Sequence, residues 1–220
     1  MKRTILFAAT GLFTASTLAH TALGHGQSTT DTEACAGFSN QDTAKRPSTL
    51  SPAELTVKEQ GKAIHVDAQS EVKADRPTVW STLSDYDHLA RFIPGISSSR
   101  TVSRAGAEAI VEQKGSAGLG PFRQSFTVLL AVREEPNQSI TASGIGGDFR
   151  CFESSYKIVP LGSQRTRIVF EATLVPEMAI LPIVGLSALR SMMGTQFAAL
   201  LEEIRRRAEA ARTNGSVRAT

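Results

Sequence analysis

Residues 76–95 read RPTVWSTLSDYDHLARFIPG, and this stretch decides the fold. Pro77 suits the first turn of a helix, where its missing N–H is not needed, so a helix is predicted to begin here. The cluster from Ser84 to Asp87 predicts a turn, and Asp87 can cap a second short helix over 88–92. One strand-like segment precedes the stretch and several follow it. That order of elements predicts a sheet that closes around an apolar cavity.

The strands are marked by alternating apolar and polar residues, and even-numbered residues are predicted to face inward in most of them. Strands are predicted at 64–68, 122–132, 152–158 and 168–174, with weaker candidates at 100–104, 107–113 and 138–142. Two glycine-rich segments, 115–120 and 144–147, are predicted to be short hairpin connections. The pattern therefore predicts an antiparallel meander.

A long helix is predicted to follow an apolar, proline-interrupted segment and to extend to about Ala211. Its apolar residues recur at spacings of three and four and so share one face. They are Leu186, Leu189, Met193, Phe197, Leu200 and Ile204. An antiparallel sheet that curls around this helix would bury the face and leave a hollow wherever the fit is incomplete. The predicted fold class is α+β, with two short helices after the first strand.

The first 24 residues have the pattern of a secretory signal peptide. Lys2 and Arg3 precede an apolar run, which ends in small residues at Ala19 and Gly24. The run is diluted by Thr and Ser and falls short of the roughly 20 strongly apolar residues that span a bilayer. The protein is therefore predicted to be periplasmic or secreted, with cleavage after Ala19 or after Gly24.

Three further segments are predicted after the signal peptide. Residues 25–53 are polar and are predicted to form a flexible lead, 54–212 a single ligand-binding domain, and 213–220 a disordered tail. Loss of the signal peptide removes two of the 24 basic residues, against 21 acidic ones, so the net charge falls from +3 to +1. A nearly neutral protein lacks the excess of basic residues that binds a phosphate backbone, so nucleic acid is not predicted as a partner.

Metal and cofactor sites find little support in the sequence. Cys35 and Cys151 are the only cysteines, and in an oxidising compartment they can form a single disulfide. His65 and His88, the two histidines of the domain, have no metal-ligand spacing. The glycine-rich segment 115–120 lacks the Lys-Ser/Thr end of a phosphate-binding loop. We predict no metal and no cofactor.

Acid–base catalysis would need a placed acid and a placed base within reach of a substrate. The candidates are Asp85, Asp87 and His88 in the turn, and Tyr156 if its hydroxyl points inward. Aspartates in such positions also serve turns and helix caps. Catalysis is therefore the weaker interpretation, and no catalytic residue is assigned.

Several segments together carry a resemblance to a known family. They are 76–80, 83–89, 92–96, 147–152, 165–172 and the terminal helix. Through them the chain resembles the polyketide cyclase/dehydrase and lipid transport family, within the START-like helix-grip (SRPBCC) superfamily that includes coenzyme Q-binding proteins. The resemblance covers nearly all of the domain. It implies a cavity between the sheet and the C-terminal helix, in which family members hold different apolar molecules.

Ten residues are predicted on or near the wall of that cavity, from their inward parity and their position in the implied fold. These candidate ligand-binding residues are Phe92, Phe126, Leu130, Ile140, Phe152, Tyr156, Phe170, Leu186, Met193 and Phe197. The same periodicity serves an ordinary core, so plain core packing is the alternative for each. The adjacent Met192 and Met193 add a surface that can adapt to variable apolar ligands.

The function predicted from these features is binding or transfer of a hydrophobic small molecule, such as a lipid or an isoprenoid quinone, without covalent chemistry. Two alternatives stay open. The first is a cyclase/dehydrase-type enzyme that acts on a polyketide-like or aromatic substrate. The second is an interaction module that uses the apolar segment 178–189 on a protein or a membrane. This segment is too short to cross a bilayer but apolar enough to touch its surface or to cover the cavity.

Overall fold

The computed structural model describes residues 54–117, 123–177 and 185–217. Within these ranges eight strands form one sheet: β1 (Glu54–Gln60), β2 (Ala63–Val72), β3 (Ile96–Ala105), β4 (Glu108–Ala117), β5 (Gln124–Glu135), β6 (Ser139–Gly147), β7 (Phe149–Gly162) and β8 (Arg165–Pro176). The helices of the described residues are α1 (Arg76–Leu83), a short 3-10 helix (Tyr86–Arg91) and α2 (Leu186–Val217). The predicted α+β fold, an antiparallel sheet with a long C-terminal helix, is confirmed.

The sheet order explains why the stretch 76–95 is decisive. The strands lie in the order β1-β2-β8-β7-β6-β5-β4-β3, and every neighbouring pair is antiparallel. The chain must therefore cross from β2, next to one edge, to β3 at the opposite edge. Residues 76–95 make that crossing as α1 and the 3-10 helix. From β3 to β8 the strands then follow one another as a meander.

Local hydrogen bonds account for the course of this crossing. Asp75 caps α1, since its Oδ1 accepts a hydrogen bond of 2.9 Å from the backbone N–H of Thr78. Asp87 is not the helix cap that its position predicts. Its carboxylate instead accepts hydrogen bonds from the backbone N–H and the hydroxyl of Thr101, at 2.6 and 3.1 Å. Asp87 therefore ties the 3-10 helix to β3 at the far edge of the sheet.

Burial confirms the predicted inward parity of the strands. Ile64 and Val66 on β2, Val128 on β5 and Ile168 on β8 are all buried. Ile204 of α2 is fully buried as well, in the same core cluster as Ile168. The sheet and the apolar face of α2 therefore enclose one common interior.

Three further details differ from the prediction. The sequence does not predict β1, because only one of its residues, Val57, is buried and its apolar alternation is correspondingly weak. The segment 144–147 belongs to β6, and residues 115–117 belong to β4, rather than to hairpin connections. Gly144 is needed there because a Cβ would lie 2.9 Å from the Cβ of Phe152. Helix α2 continues to Val217, beyond the predicted end.

Several predictions fall on residues that lie outside the described ranges. They are the signal peptide at 1–24, the lead at 25–53, Cys35, Phe122, most of the apolar segment 178–189 and the last three residues. Cys151 is buried between Ala63 and Val175 and is disulfide-bonded. Within the described ranges, no helix is both long enough and apolar enough to span a membrane.

Candidate functional site

A cavity of about 240 Å³ lies between the sheet and α2. The strands supply most of its wall, including Val66, Val111, Val128, Val132, Ala142, Phe149 and Leu174. Helix α2 supplies Leu189, Met192, Gln196 and Leu200, and the crossing segment supplies Leu83, Tyr86, Leu89 and Ile93. The strands, helix α2 and the crossing segment thus all border this cavity.

Eight of the ten residues predicted for the cavity wall line it. They are Phe126, Leu130, Ile140, Phe152, Tyr156, Phe170, Met193 and Phe197. Phe126, Phe152 and Phe170 are only partly buried although they point inward, because they face the hollow rather than packed atoms. This partial exposure on an inward face separates a cavity wall from an ordinary core.

The other two predicted residues lie outside the lining. Phe92 caps the 3-10 helix and packs beneath the guanidinium of Arg207, whose Cζ is 5.6 Å from the centre of the Phe92 ring. Leu186 is the first residue of α2 and is 38% exposed, so the apolar face of the helix reaches the cavity only from Leu189 onward.

The crossing segment contributes lining residues that the sequence prediction omits. Tyr86, Leu89 and Ile93 recur at spacings of three and four residues, and this spacing could have identified them as one face. Three polar lining residues are also absent from the prediction: Gln113, Ser154 and Gln196. Nothing in the apolar alternation distinguishes inward polar residues from outward ones.

Aromatic rings line one part of the cavity. Phe149 makes edge-to-face contacts with Phe126 at 5.9 Å and with Phe152 at 5.6 Å between ring centres. Phe170 lies against the ring of Tyr156 at 4.6 Å. Such pairs add stabilisation beyond simple burial and hold the rings in defined orientations. The wall around Tyr156 is therefore built from mutually supporting aromatic side chains.

The hydroxyl of Tyr86 forms a hydrogen bond within the protein. The hydroxyl donates a hydrogen bond of 2.9 Å to Oε1 of Glu134, which is only 9% exposed. Arg104 donates to both oxygens of the same carboxylate, at 3.0 and 2.9 Å. Burial, followed by the hydrogen bond to Glu134, raises the pKa of Tyr86 well above its usual value. This network stabilises a buried carboxylate beside the cavity and leaves Tyr86 no free donor.

Tyr156 is in the opposite situation. Within the described part of the chain its hydroxyl has no hydrogen-bond partner, although its ring lies in the cavity wall. Burial raises the pKa of Tyr156, so the phenol stays protonated in ordinary buffers. Tyr156 is thus a residue of the cavity wall whose O–H donor has no described partner.

The acid–base candidates of the turn do not reach the cavity. Asp85 bonds to Nδ1 of His88 at 2.6 Å and to Arg207 at 2.8 Å. Burial alone would raise the pKa of Asp85, but the hydrogen bonds from Arg207 and His88 outweigh it and lower that pKa. None of Asp85, Asp87 and His88 belongs to the lining, and among the described lining residues there is no carboxylate and no histidine.

His65 forms a hydrogen bond between two strands, since its Nδ1 lies 3.0 Å from the hydroxyl of Thr173 on the neighbouring strand. Across the described ranges, no group of three or more His, Cys, Asp or Glu side chains is arranged to hold a metal ion. The described lining therefore offers apolar surface and a small number of neutral hydrogen-bonding groups.

Comparison with known proteins agrees with this geometry. The family model described as "Polyketide cyclase / dehydrase and lipid transport" matches residues 72–199. Among curated proteins, no sequence matches the chain.

Solved structures show the same fold. The Zhui aromatase/cyclase from Streptomyces sp. R1128 is 18% identical, with a TM-score of 0.53 over 67% of this chain and 94% of its own. A STAR-related lipid transfer protein from Xanthomonas axonopodis is 11% identical, with a TM-score of 0.54 over 73% and 97%. A START superfamily protein from Mycobacterium smegmatis is 22% identical, with a TM-score of 0.52 over 67% and 98%. At these identities the likeness establishes the fold and leaves the ligand open.

Proposed function

The chain belongs to the polyketide cyclase/dehydrase and lipid transport family, and from this premise we propose that it binds or transfers a hydrophobic small molecule in its internal cavity. The observation that carries the proposal is the cavity itself, enclosed by sheet and helix and lined almost entirely by apolar side chains. The proposed ligand contacts are the eight predicted residues that line it, together with the crossing-segment residues Tyr86, Leu89 and Ile93.

The driving force for uptake is burial of apolar ligand surface. Each Å² removed from water contributes roughly 25 cal/mol, so a ligand that buries a few hundred Å² gains several kcal/mol. Part of that gain offsets the loss of translational and rotational freedom on binding. The adjacent Met192 and Met193 have flexible side chains that can repack around ligands of different shape. Lipids, isoprenoid quinones and related apolar metabolites are the proposed ligand classes.

A cyclase/dehydrase-type enzyme is the second candidate, and one observation favours it. The Tyr156 hydroxyl is free of described partners inside the cavity, where it could donate a hydrogen bond or a proton to a bound substrate. However, the described lining contains no second titratable group except Tyr86, whose hydroxyl is held by Glu134. An acid without a placed base favours binding over catalysis.

The apolar segment 178–189 is proposed to cover the cavity or to contact a membrane during ligand exchange. Most of it lies outside the described residues, but Leu186 at its described end is exposed. An apolar segment of this composition suits transient contact with a membrane surface.

Export is proposed from the signal-peptide pattern of the first 24 residues. The protein is expected in the periplasm or the culture medium with an intact mass that lacks its first 19 or 24 residues. Cell fractionation followed by mass spectrometry measures both properties. A full-length mass confined to the cytoplasmic fraction would contradict export.

Binding is tested with N-phenyl-1-naphthylamine, a neutral apolar dye whose fluorescence rises in apolar surroundings. We expect a saturable increase in fluorescence at about one dye per protein, because the described residues enclose a cavity of about 240 Å³. A fluorescence increase that stays linear with dye concentration, without saturation, would indicate only nonspecific surface binding and would refute the proposed function.

A further inference from the structure

Some polar side chains of the cavity wall form hydrogen bonds within the protein, and others do not. Tyr86 donates to Glu134, and Nε2 of Gln196 donates to the carbonyl oxygen of Pro94 at 2.9 Å. Tyr156 and Ser154 make no such bond within the described part of the chain. The unused polar groups of this wall therefore include two neighbours on one strand, β7.

Tyr156 and Ser154 are two residues apart, so their side chains point to the same face of β7 with about 7 Å between their Cα atoms. The ring of Phe170 lies 4.6 Å from that of Tyr156 and restricts where the Tyr156 hydroxyl can be. Ser154 is flanked across the sheet by Ala142 and Ala172, whose small side chains leave room above it. Both residues belong to the cavity lining, so a ligand in the cavity can contact them.

A ligand oxygen can accept a hydrogen bond from these hydroxyls in place of the water that would otherwise solvate them. The phenol of Tyr156 stays neutral because burial raises its pKa, so it acts as a hydrogen-bond donor over the whole range of ordinary buffers. A carbonyl or hydroxyl oxygen on the ligand is the natural acceptor for it.

Charge sets a second requirement on the ligand. None of the cavity-lining residues in the described ranges is an Asp, Glu, Lys, Arg or His. An ionised group buried against such a wall would have no counter-charge, and this penalty is far larger than that of an uncharged polar group. The wall therefore selects against carboxylates, phosphates and ammonium groups.

Size sets a third requirement. The cavity volume of about 240 Å³ lies below the roughly 300–1,000 Å³ of typical ligand pockets. A compact ring system or the head of a longer isoprenoid is the better match.

From these three requirements we infer that the cavity takes a compact, uncharged ligand with an oxygen acceptor on the part of the wall that Tyr156 and Ser154 form. This inference rests on the proposed binding function and narrows it to neutral apolar molecules that carry an oxygen acceptor. It makes Tyr156 a specificity-determining residue, because its hydroxyl distinguishes an oxygen-bearing ligand from the corresponding hydrocarbon.

The test compares two rigid molecules of the same shape, fluorenone and fluorene, which differ by the ketone. Their dissociation constants are measured by equilibrium dialysis for the wild-type protein and for Tyr156→Phe. We expect the substitution to weaken fluorenone binding about 3- to 10-fold, the range of one neutral hydrogen bond, and to leave fluorene binding unchanged or tighter. Because the hydroxyl has no partner among the described residues, Tyr156→Phe should not disturb folding.

Ser154→Ala is expected to weaken fluorenone binding in the same selective way, by a smaller factor. Its matched control is Ser155→Ala, the next residue on β7, which points to the opposite face and approaches Glu171 instead. Fluorene-9-carboxylate, which adds a charge to the same skeleton, is expected to bind at least about tenfold more weakly than fluorenone.

The outcomes separate this inference from the proposed function. If Tyr156→Phe changes the affinities for fluorenone and fluorene by the same factor, or if the carboxylate binds as tightly as the ketone, the inference is wrong while apolar binding stands. If neither fluorenone nor fluorene binds the wild-type protein, the proposed function fails and the inference fails with it.

Discussion

Replacing Ala142 by Phe is expected to abolish uptake of apolar ligands while the protein stays folded. Ala142 lies on β6 in the cavity wall, between the lining residues Val132 and Ser154 of the two neighbouring strands. A phenyl ring at this position would extend into the hollow and occupy the space that a ligand needs. Because the ring enters free volume, the cost to stability should not exceed the roughly 1–3 kcal/mol of a moderately overpacked core.

The measurement is a titration with N-phenyl-1-naphthylamine, alongside the unfolding transition of each variant. Thr141→Phe is the matched control, because Thr141 is the adjacent residue on β6 and is exposed on the other face of the sheet. We expect saturable dye binding for the wild type and for Thr141→Phe, and none for Ala142→Phe. Undiminished binding by a folded Ala142→Phe variant would show that the dye binds elsewhere.

Gly147→Ala is expected to lower the free energy of unfolding by about 3 kcal/mol or more. Gly147 has a φ of +104°, where side chains are strained, and a methyl group there would overlap the carbonyl oxygen of Thr127. The approach is close because Asp148 binds both polar backbone groups of Thr127. Its N–H donates to the carbonyl oxygen at 2.9 Å, and its Oδ2 accepts from the N–H at 2.6 Å.

Gly146→Ala provides the control for this prediction. A methyl group at Gly146 would have the Cβ of Leu129 as its nearest neighbour, at 3.8 Å, which is an ordinary contact. The loss for Gly146→Ala should therefore stay near the roughly 0.5 kcal/mol typical of tolerated surface changes. Urea denaturation of the three proteins measures the difference. Equal stability of both alanine variants would mean that the backbone at Gly147 relaxes freely.

Much of this architecture could be predicted because it depends on local periodicity. Ile64 and Val66 are separated by a polar residue, and Phe197, Leu200 and Ile204 recur at helical spacing, so each element reveals its buried face independently of the others. Proline and the turn residues mark the start of α1 and its end in the same local way. These signals are sufficient for the α+β sheet around a C-terminal helix.

The remaining features depend on contacts between residues that are distant along the chain. Tyr86 and Glu134 are 48 residues apart, and no local pattern indicates that one bonds the other. The role of Gly144 depends on Phe152 of the neighbouring strand, so its glycine-rich segment resembles a turn in the sequence. The alternation of apolar residues along a strand also cannot distinguish a cavity wall from a packed core, since both need the same alternation. Leu186 has the right spacing and nevertheless lies at the exposed start of α2.

Native mass spectrometry on wild-type protein and Ala142→Phe tests most directly whether the cavity holds a ligand. Both proteins are purified without detergent and incubated with an organic extract of the producing cells. We predict that the wild-type protein carries one uncharged, oxygen-containing apolar molecule per chain, which organic extraction recovers, and that Ala142→Phe carries none. A wild-type protein that stays free of ligand, or the same bound molecule on both proteins, would contradict the claim that this cavity is a ligand-binding site.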